Sequence, residues 1–177
     1  MPILIAAVIA VGGLCLLDLL LTFGVIRRLR EHTGILAQAR VPEEVFGLAV
    51  GQSPEAFSAV TTSGDLVSNA SGLRVVAFLA SFCSICPQRV PPFLDYLTGH
   101  YIGRDSVLVV VAGDASEPPP YVAQLDEVSQ VCFGSIDGEV NRAFGVRGFP
   151  MFGILDATGA LIASGPDPSR LAAPATV

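Results

Sequence analysis

The amino-acid sequence predicts an α/β fold with a mixed β-sheet and flanking helices. Two continuous apolar runs, at residues 73–80 and 106–113, have the length and valine content of strands buried on both faces. Two further apolar runs, at residues 151–156 and 160–165, flank a turn and predict an antiparallel pair. Helical segments follow the first two strands, and this order is typical of a mixed sheet covered by helices.

Shorter elements are predicted from local signals in the same part of the chain. A hairpin is expected around residues 63–65, where β-forming residues surround a turn sequence. Helical spacing predicts helices at residues 93–97, 121–128 and 138–144. The prolines at residues 118–120 break the chain before the second of these helices.

The overall composition indicates one globular domain, with part of the chain in lipid. The chain has 177 residues, of which 51% are hydrophobic, and its mean hydropathy is +0.62. The net charge is -6, all ten basic residues are arginines, and no basic run marks a nucleic-acid surface. Four cysteines are too few for a scaffold held together by disulfides.

Residues 3–26 predict a transmembrane span. This run contains a single charged residue, Asp18, and a helix needs about 20 apolar residues to cross a bilayer. A buried core helix is one alternative, and a cleaved signal peptide is another, although the run is longer than the apolar core of such peptides. We therefore expect residues 1–26 to be an anchor, residues 27–53 a juxtamembrane helix and connector, and residues 54–177 the globular domain.

Two cysteines lie directly after the first buried strand, at Cys83 and Cys86, and Pro87 follows them. Proline is tolerated in the first turn of a helix, so the pair is predicted to lie at a helix N-terminus. Residues three apart face the same side and can reach disulfide distance. The helix dipole and free N–H groups there stabilise a thiolate. Cys83 is the predicted attacking thiol, and Cys86 the thiol that resolves the mixed disulfide.

A static disulfide and half of a zinc site are the alternatives for this pair. A zinc site needs more ligands, but Cys15 lies in the apolar run and Cys132 stands alone. The two histidines, His32 and His100, are not spaced to complete such a site. A structural disulfide across two residues closes too small a loop to stabilise the fold much.

Two segments together resemble the thioredoxin superfamily. They are "VVAFLASFCSICPQRVPPF" and, some sixty residues later, "AFGVRGFPMFGILDATGALIASG". With the apolar N-terminal run, the chain resembles the membrane-anchored TlpA/ResA branch, and "LTFGVIRRLREHTGIL" is similar to the start of MauD-type proteins. The resemblance implies a thioredoxin fold. It also implies a cis peptide bond at Phe149–Pro150, packed against the cysteines, whose backbone pairs with an extended substrate segment.

The residues around the cysteines depart from the family pattern in several places. Phe82 stands where the family usually has tryptophan, and Ser84 and Ile85 replace the familiar residues between the cysteines. Arg89 stands where ResA-type proteins have a glutamate, so a side chain that could shuttle protons is replaced by one that cannot. Together with Pro87, these residues are predicted to support the site.

The resemblance implies a membrane-anchored thiol–disulfide oxidoreductase. Its substrate would be a protein disulfide or dithiol, and its electron donor would lie in the membrane or be another redox protein. The redox-active pair Cys83–Cys86 would need no additional cofactor. The alternative is a binding or assembly module with the same fold and little redox activity. A peroxidase is disfavoured because the Pro-x-x-x-Thr-x-x-Cys arrangement is missing.

The anchor raises two further expectations. Arg27, Arg28, Arg30 and Arg40 follow the span, and the positive-inside rule assigns the side on which they lie to the cytoplasm. The family resemblance instead implies that the domain of this single-pass protein faces outward, and we favour the outward orientation. Asp18 is costly within the bilayer, so it is predicted to meet a polar group on another transmembrane helix.

Overall fold

The computed structural model describes residues 47–171, together with residues 1, 5, 12, 13, 15 and 16. The chain divides into two compact units, residues 1–41 and residues 42–177, and the second contains the sheet. Most of the predicted span, including Asp18, and the juxtamembrane arginines lie outside the described residues. Among the residues that are described, no helix is long and apolar enough to cross a membrane.

Seven strands and three α-helices make up the described part of the second unit. The strands are β1 (Ser58–Val60), β2 (Leu66–Ser68), β3 (Val75–Ala80), β4 (Val107–Ala112), β5 (Gln130–Gly134), β6 (Met151–Leu155) and β7 (Leu161–Gly165). The helices are α1 (Cys86–Gly99), α2 (Val122–Val128) and α3 (Glu139–Ala143), and short 3-10 turns lie at Arg104–Ser106 and Pro168–Arg170.

The main sheet has five strands in the order β5-β4-β3-β6-β7, which confirms the predicted mixed sheet. β3 lies at its centre, parallel to β4 and antiparallel to β6. β4 is in turn parallel to β5, whereas β6 and β7 form an antiparallel hairpin. Every residue of β3 and β4 is buried, as their continuous apolar sequences predict. β1 and β2 form the separate predicted hairpin.

Strand β5 is the one element of the main sheet that the sequence analysis did not assign. Its five residues include Gln130 and Gly134 at the ends, and it begins directly after α2 with only Ser129 between them. No turn residue separates the two elements, and the run is too short for a clear period. The strand is defined by its parallel pairing with β4, which is a contact between distant parts of the chain.

The two faces of the sheet carry two separate apolar layers, because successive strand residues point to opposite faces. Along β3, Val75, Ala77 and Leu79 pack on the face covered by α1 and α2. Val76 and Phe78 pack on the other face, against α3 and the β1–β2 hairpin. The sheet thus places α1 and the hairpin on opposite sides of the domain.

The chain that enters the domain is hydrogen bonded to it before residue 54. The Gly47 N–H donates to the Gly145 carbonyl at 2.7 Å, and the Gly51 N–H donates to the Leu161 carbonyl at 2.7 Å. The Leu161 N–H donates a hydrogen bond to the Gln52 carbonyl at 2.8 Å. Residues 47–52, which the sequence analysis placed in the connector, are therefore attached to the domain at the start of β7 and just after α3.

The contact between Gly47 and Gly145 makes a stability prediction. Gly145 has a φ of 63°, and a Cβ on it would lie 2.8 Å from the Gly47 Cα. The left-handed conformation costs other residues about 1–2 kcal/mol. We expect Gly145→Ala to lower the free energy of unfolding by this amount and more, because the added methyl also displaces residue 47.

Gly159→Ala is the matched control for this substitution. Gly159 also has a positive φ, of 83°, but a Cβ there would meet no atom within 4 Å. Urea unfolding of the full-length chain should therefore give a smaller loss for Gly159→Ala than for Gly145→Ala. Equal losses would show that the close approach of residue 47 contributes nothing to stability.

Candidate functional site

The candidate site lies where β3 ends and α1 begins. β3 ends at Ala80, whose carbonyl accepts a hydrogen bond from the Cys83 N–H at 3.2 Å. Cys86 is the first residue of α1 and Pro87 the second, so the cysteines lie at the predicted helix start. The two are joined as a disulfide, with their Cα atoms 5.4 Å apart.

The two sulfurs have different surroundings. Cys86 has 0% relative exposure and belongs to the apolar core beneath α1, whereas Cys83 is only partly buried. The backbone N–H of Cys86 lies 3.1 Å from the Cys83 Sγ and donates to it. An incoming sulfur can therefore approach Cys83 but not Cys86. The same N–H would stabilise negative charge on Cys83 after reduction.

Apolar side chains surround the exposed side of the pair. Phe82 is 65% exposed and Ile85 is 50% exposed, and Ser84 between them is also exposed. Ile85 occupies the N-cap position of α1, where it makes no side-chain capping bond. Exposed phenylalanine and isoleucine next to a reactive pair form a surface suited to an apolar contact with another molecule.

The Phe149–Pro150 loop lies at the same edge of the sheet. Its peptide bond is cis, as the resemblance implies, and Pro150 leads directly into β6. Met151, the first residue of β6, pairs with Phe78 near the end of β3, so the antiparallel register brings this loop beside the cysteine loop. The Phe149 ring meets the Phe82 ring edge-on, with 6.1 Å between centroids.

Arg89 holds the C-terminal turn against α1. Its Nη1 lies 3.3 Å from the Asp167 Oδ2, and Asp167 also caps the turn Pro168–Arg170 by accepting from the Ser169 N–H at 3.2 Å. A hydrogen bond from the Ser169 hydroxyl is the main cause that lowers the pKa of Asp167, with Arg89 a smaller cause. The arginine that replaces the family glutamate is thus engaged by a carboxylate.

Cys132 takes no part in the site. It lies on β5, is 1% exposed, and packs on the sheet face opposite to α1. Burial raises the pKa of its thiol to about 12. A neutral, enclosed thiol of this kind is inert and behaves as a small apolar side chain.

The loop between β4 and α2 also belongs to this region, although its sequence did not predict this position. The loop lies beside Phe82, and the hydroxyl of Tyr121 at its end donates to the Ala80 carbonyl at 3.2 Å. Near its start, Gly113 allows close packing, because a Cβ there would lie 2.5 Å from the Ser81 hydroxyl oxygen. The parallel pairing of β3 and β4 was the missing signal, since carboxyl ends of adjacent parallel strands share one edge.

Comparison with solved structures shows that the domain shares the fold of thioredoxin-like proteins. No protein-family model matches the chain, and no curated protein sequence matches it. The thioredoxin domain of a thiol-disulfide oxidoreductase from Bacteroides vulgatus superposes with a TM-score of 0.56 at 20% identity, covering 69% of this chain and 94% of that one. A thio-disulfide isomerase from Thermus thermophilus gives 0.53 at 19% identity, covering 68% and 87%.

A third solved structure agrees with these two. A thiol:disulfide interchange protein of the thioredoxin family from Chlorobium tepidum has a TM-score of 0.52 at 22% identity, covering 67% of this chain and 88% of that one. The similarity in sequence is low, and the similarity in backbone extends over most of each protein. The chain therefore has a thioredoxin-like fold, as the two quoted segments indicated.

The turn held by Arg89 gives a prediction of pH dependence. Because folding lowers the pKa of Asp167 from its ordinary value of 3.8, this carboxylate stabilises the fold above that pH. Its contribution is lost as the pH falls through the lower, folded value. Asp167→Asn should thus be less stable than wild type at neutral pH, and the difference between the two should shrink in acid below pH 3.8.

Unfolding midpoints measured from neutral pH into strong acid would test this expectation. Asp95→Asn is the matched control, because Asp95 is an exposed carboxylate on the same helix as Arg89. The unfolding midpoint of this control should change with pH in the acid range as the wild-type midpoint does. A constant gap between Asp167→Asn and wild type across the whole pH range would show that the Asp167 carboxylate does not stabilise the turn through its charge.

Proposed function

We propose that the chain is a thiol–disulfide oxidoreductase that exchanges disulfides with protein substrates through Cys83 and Cys86. The observation that carries the proposal is the difference between the two sulfurs. Cys83 is accessible and accepts a hydrogen bond from the Cys86 N–H, whereas Cys86 is sealed in the core. A purely structural disulfide has no need of one accessible, partly buried sulfur with an amide donor directed at it.

The exchange takes place in two balanced steps. In the reduced protein, the Cys83 thiolate attacks one sulfur of a substrate disulfide, and the other substrate sulfur leaves as a thiolate that takes up a proton. The Cys86 thiol then loses its proton and attacks Cys83, which releases the second substrate thiol. The substrate gains two electrons and two protons, and the Cys83–Cys86 disulfide is restored. The reverse sequence oxidises a substrate dithiol.

The neighbouring loop supports a protein as the substrate. In this proposal, the backbone around Phe149 and Pro150 pairs with an extended segment of the substrate, and Phe82 contacts its apolar side chains. Phe82 and Phe149 already meet edge-on beside the pair and present an apolar surface. The proteins with similar backbones include a thiol-disulfide oxidoreductase, a thio-disulfide isomerase and a thiol:disulfide interchange protein, which supports the proposal. The cysteine pair is its own redox group, and no further cofactor is proposed.

The finer assignment is a membrane-anchored protein of the TlpA/ResA/MauD type. The apolar run at residues 3–26 supports the anchor, and the resemblance of residues 21–36 supports the MauD-type relation. An oxidising compartment is where such a tethered pair has substrates, so the domain is proposed to face outward. Electrons would then come from a dithiol donor in the membrane or from another redox protein.

Serine substitutions at the two cysteines test the assigned roles. Cys83→Ser removes the attacking sulfur and should reduce exchange with a protein disulfide to the background rate. Cys86→Ser leaves the attack intact but removes the resolving thiol, so a mixed disulfide between Cys83 and the substrate should accumulate. Non-reducing gels and insulin reduction by the full-length chain measure both effects.

Cys132→Ala is the matched control for loss of a thiol. This residue is buried on the opposite sheet face, so the variant should exchange at the wild-type rate. Trapping by Cys83→Ser but not by Cys86→Ser would reverse the two roles. A wild-type protein that leaves insulin disulfides intact would favour the alternative of a binding or assembly module.

Substitutions of Asp18 test the proposed anchor and its contact with another helix. It lies eight residues before Ile26, or about 12 Å along a helix, so it would be within the hydrocarbon. A charged aspartate at that depth costs about 2.5–3.5 kcal/mol, which favours a polar partner on another helix. Asp18→Leu should abolish crosslinking to that partner or to a second copy, whereas Asp18→Asn keeps a hydrogen-bonding group and should retain part of it.

Alkaline extraction of membranes measures insertion of both variants alongside the crosslinking. The Gly12-Gly13 pair in the same run would allow a second helix to approach closely. Unchanged crosslinking in an inserted Asp18→Leu protein would show that Asp18 is not a contact. Release of the wild-type chain by alkaline extraction would rule out the anchor itself.

A further inference from the structure

A groove is lined by Phe82, the residue directly before Cys83, together with residues of α1 and of the loop between β4 and α2. Its volume is about 840 Å³, which is within the range of about 300–1,000 Å³ for ligand sites in proteins. One wall is the first part of α1, with Pro87 and Pro91, and the other is the loop with prolines 118–120. Tyr121 and Val90 line the groove between these walls.

The groove is preformed by residues with little conformational freedom. Five prolines line it, and proline fixes its own φ angle. The Tyr121 hydroxyl ties the loop to the Ala80 carbonyl at the end of β3, at 3.2 Å. A wall that is already ordered loses little entropy when a partner binds. Grooves lined by aromatic side chains bind extended peptide segments, and Phe82 and Tyr121 line this one.

The charges of the groove have one sign. Asp114 and Glu117 line it and are exposed, and no arginine is among its lining residues. Hydrogen bonds from Ser116, the backbone N–H first, lower the pKa of Asp114, so this carboxylate stays ionised at neutral pH. The chain as a whole also carries a net charge of -6. A positively charged segment is therefore the occupant that this surface attracts.

We propose that the groove binds the substrate segment that flanks the reacting cysteine and that this segment carries an arginine or lysine opposite Asp114 and Glu117. The inference rests on the proposed function, because Phe82 belongs both to the groove and to the chain directly before Cys83. A segment held against Phe82 and Pro91 leads its neighbouring cysteine to the accessible sulfur. The groove thus selects protein disulfides with basic surroundings.

Binding of matched peptides by the oxidised, full-length chain tests the charge preference. Three short fluorescent peptides have serine in place of cysteine and differ only in the flanking residues, which are arginine, glutamine or glutamate. Fluorescence anisotropy at low salt should show the arginine peptide binding about tenfold more tightly than the glutamate peptide. The ratio should fall as salt is raised, because the carboxylates are exposed.

Substitutions in the groove test whether its carboxylates cause the preference for the arginine peptide. In the double variant Asp114→Asn with Glu117→Gln, the affinities for the arginine peptide and the glutamate peptide should be nearly equal. Asp95→Asn with Glu127→Gln is the matched control, since it removes the same charge from exposed positions that do not line the groove. Gln124→Arg places a cation beside the two carboxylates of the groove and should weaken the preference for the arginine peptide.

A small uncharged disulfide, bis(2-hydroxyethyl) disulfide, separates this proposal from the proposed function. If the reduced protein exchanges with it but oxidised protein binds the three peptides equally, the function stands and the groove proposal fails. Equal effects of the two double variants would also overturn it, because the preference would then come from net charge. If no disulfide is exchanged but the arginine preference depends on Asp114 and Glu117, the groove proposal stands as a binding surface and the redox function fails.

Discussion

The position of β3 at the centre of the mixed sheet determines where the site is built. Its parallel pairing with β4 aligns the carboxyl ends of both strands, so the loops that follow them are neighbours. Its antiparallel pairing with β6 brings the chain before Met151 to the same edge. Three segments that are distant in sequence therefore meet at one edge, and they supply the disulfide, the cis peptide bond and the proline-walled groove.

The start of α1 gives two chemically identical thiols different surroundings. Cys86 is the first residue of the helix and is drawn into the core with its apolar face, while Cys83 remains at the surface within reach of the Cys86 N–H. Cys132 shows the other extreme, since burial alone raises its pKa to about 12. The difference in accessibility, together with one backbone donor, supports the proposed roles of Cys83 as attacking sulfur and Cys86 as resolving sulfur.

Charge is distributed unevenly around the disulfide. On the side of the C-terminal turn, Arg89 is paired with Asp167, so its charge is largely used to hold that turn on α1. In the groove, Asp114 and Glu117 are lining residues, and no arginine is among the described residues that line it. A basic substrate segment would accordingly be attracted to the groove side of the pair. This division explains how a negatively charged domain could orient a protein substrate before the sulfurs meet.

The sequence by itself determined the buried strands, the hairpins and the helix start at the cysteine pair, because these follow from local periodicity and from proline geometry. The cis peptide bond at Phe149–Pro150 was implied by the resemblance of two segments to the thioredoxin superfamily. The sequence did not determine β5, which is a strand only through pairing with β4. It also did not show that Arg89 meets Asp167, or that the loop at residues 113–121 borders Phe82. Those contacts join segments that are far apart along the chain. They form only in the folded protein, because the sheet determines which strand ends lie at the same edge.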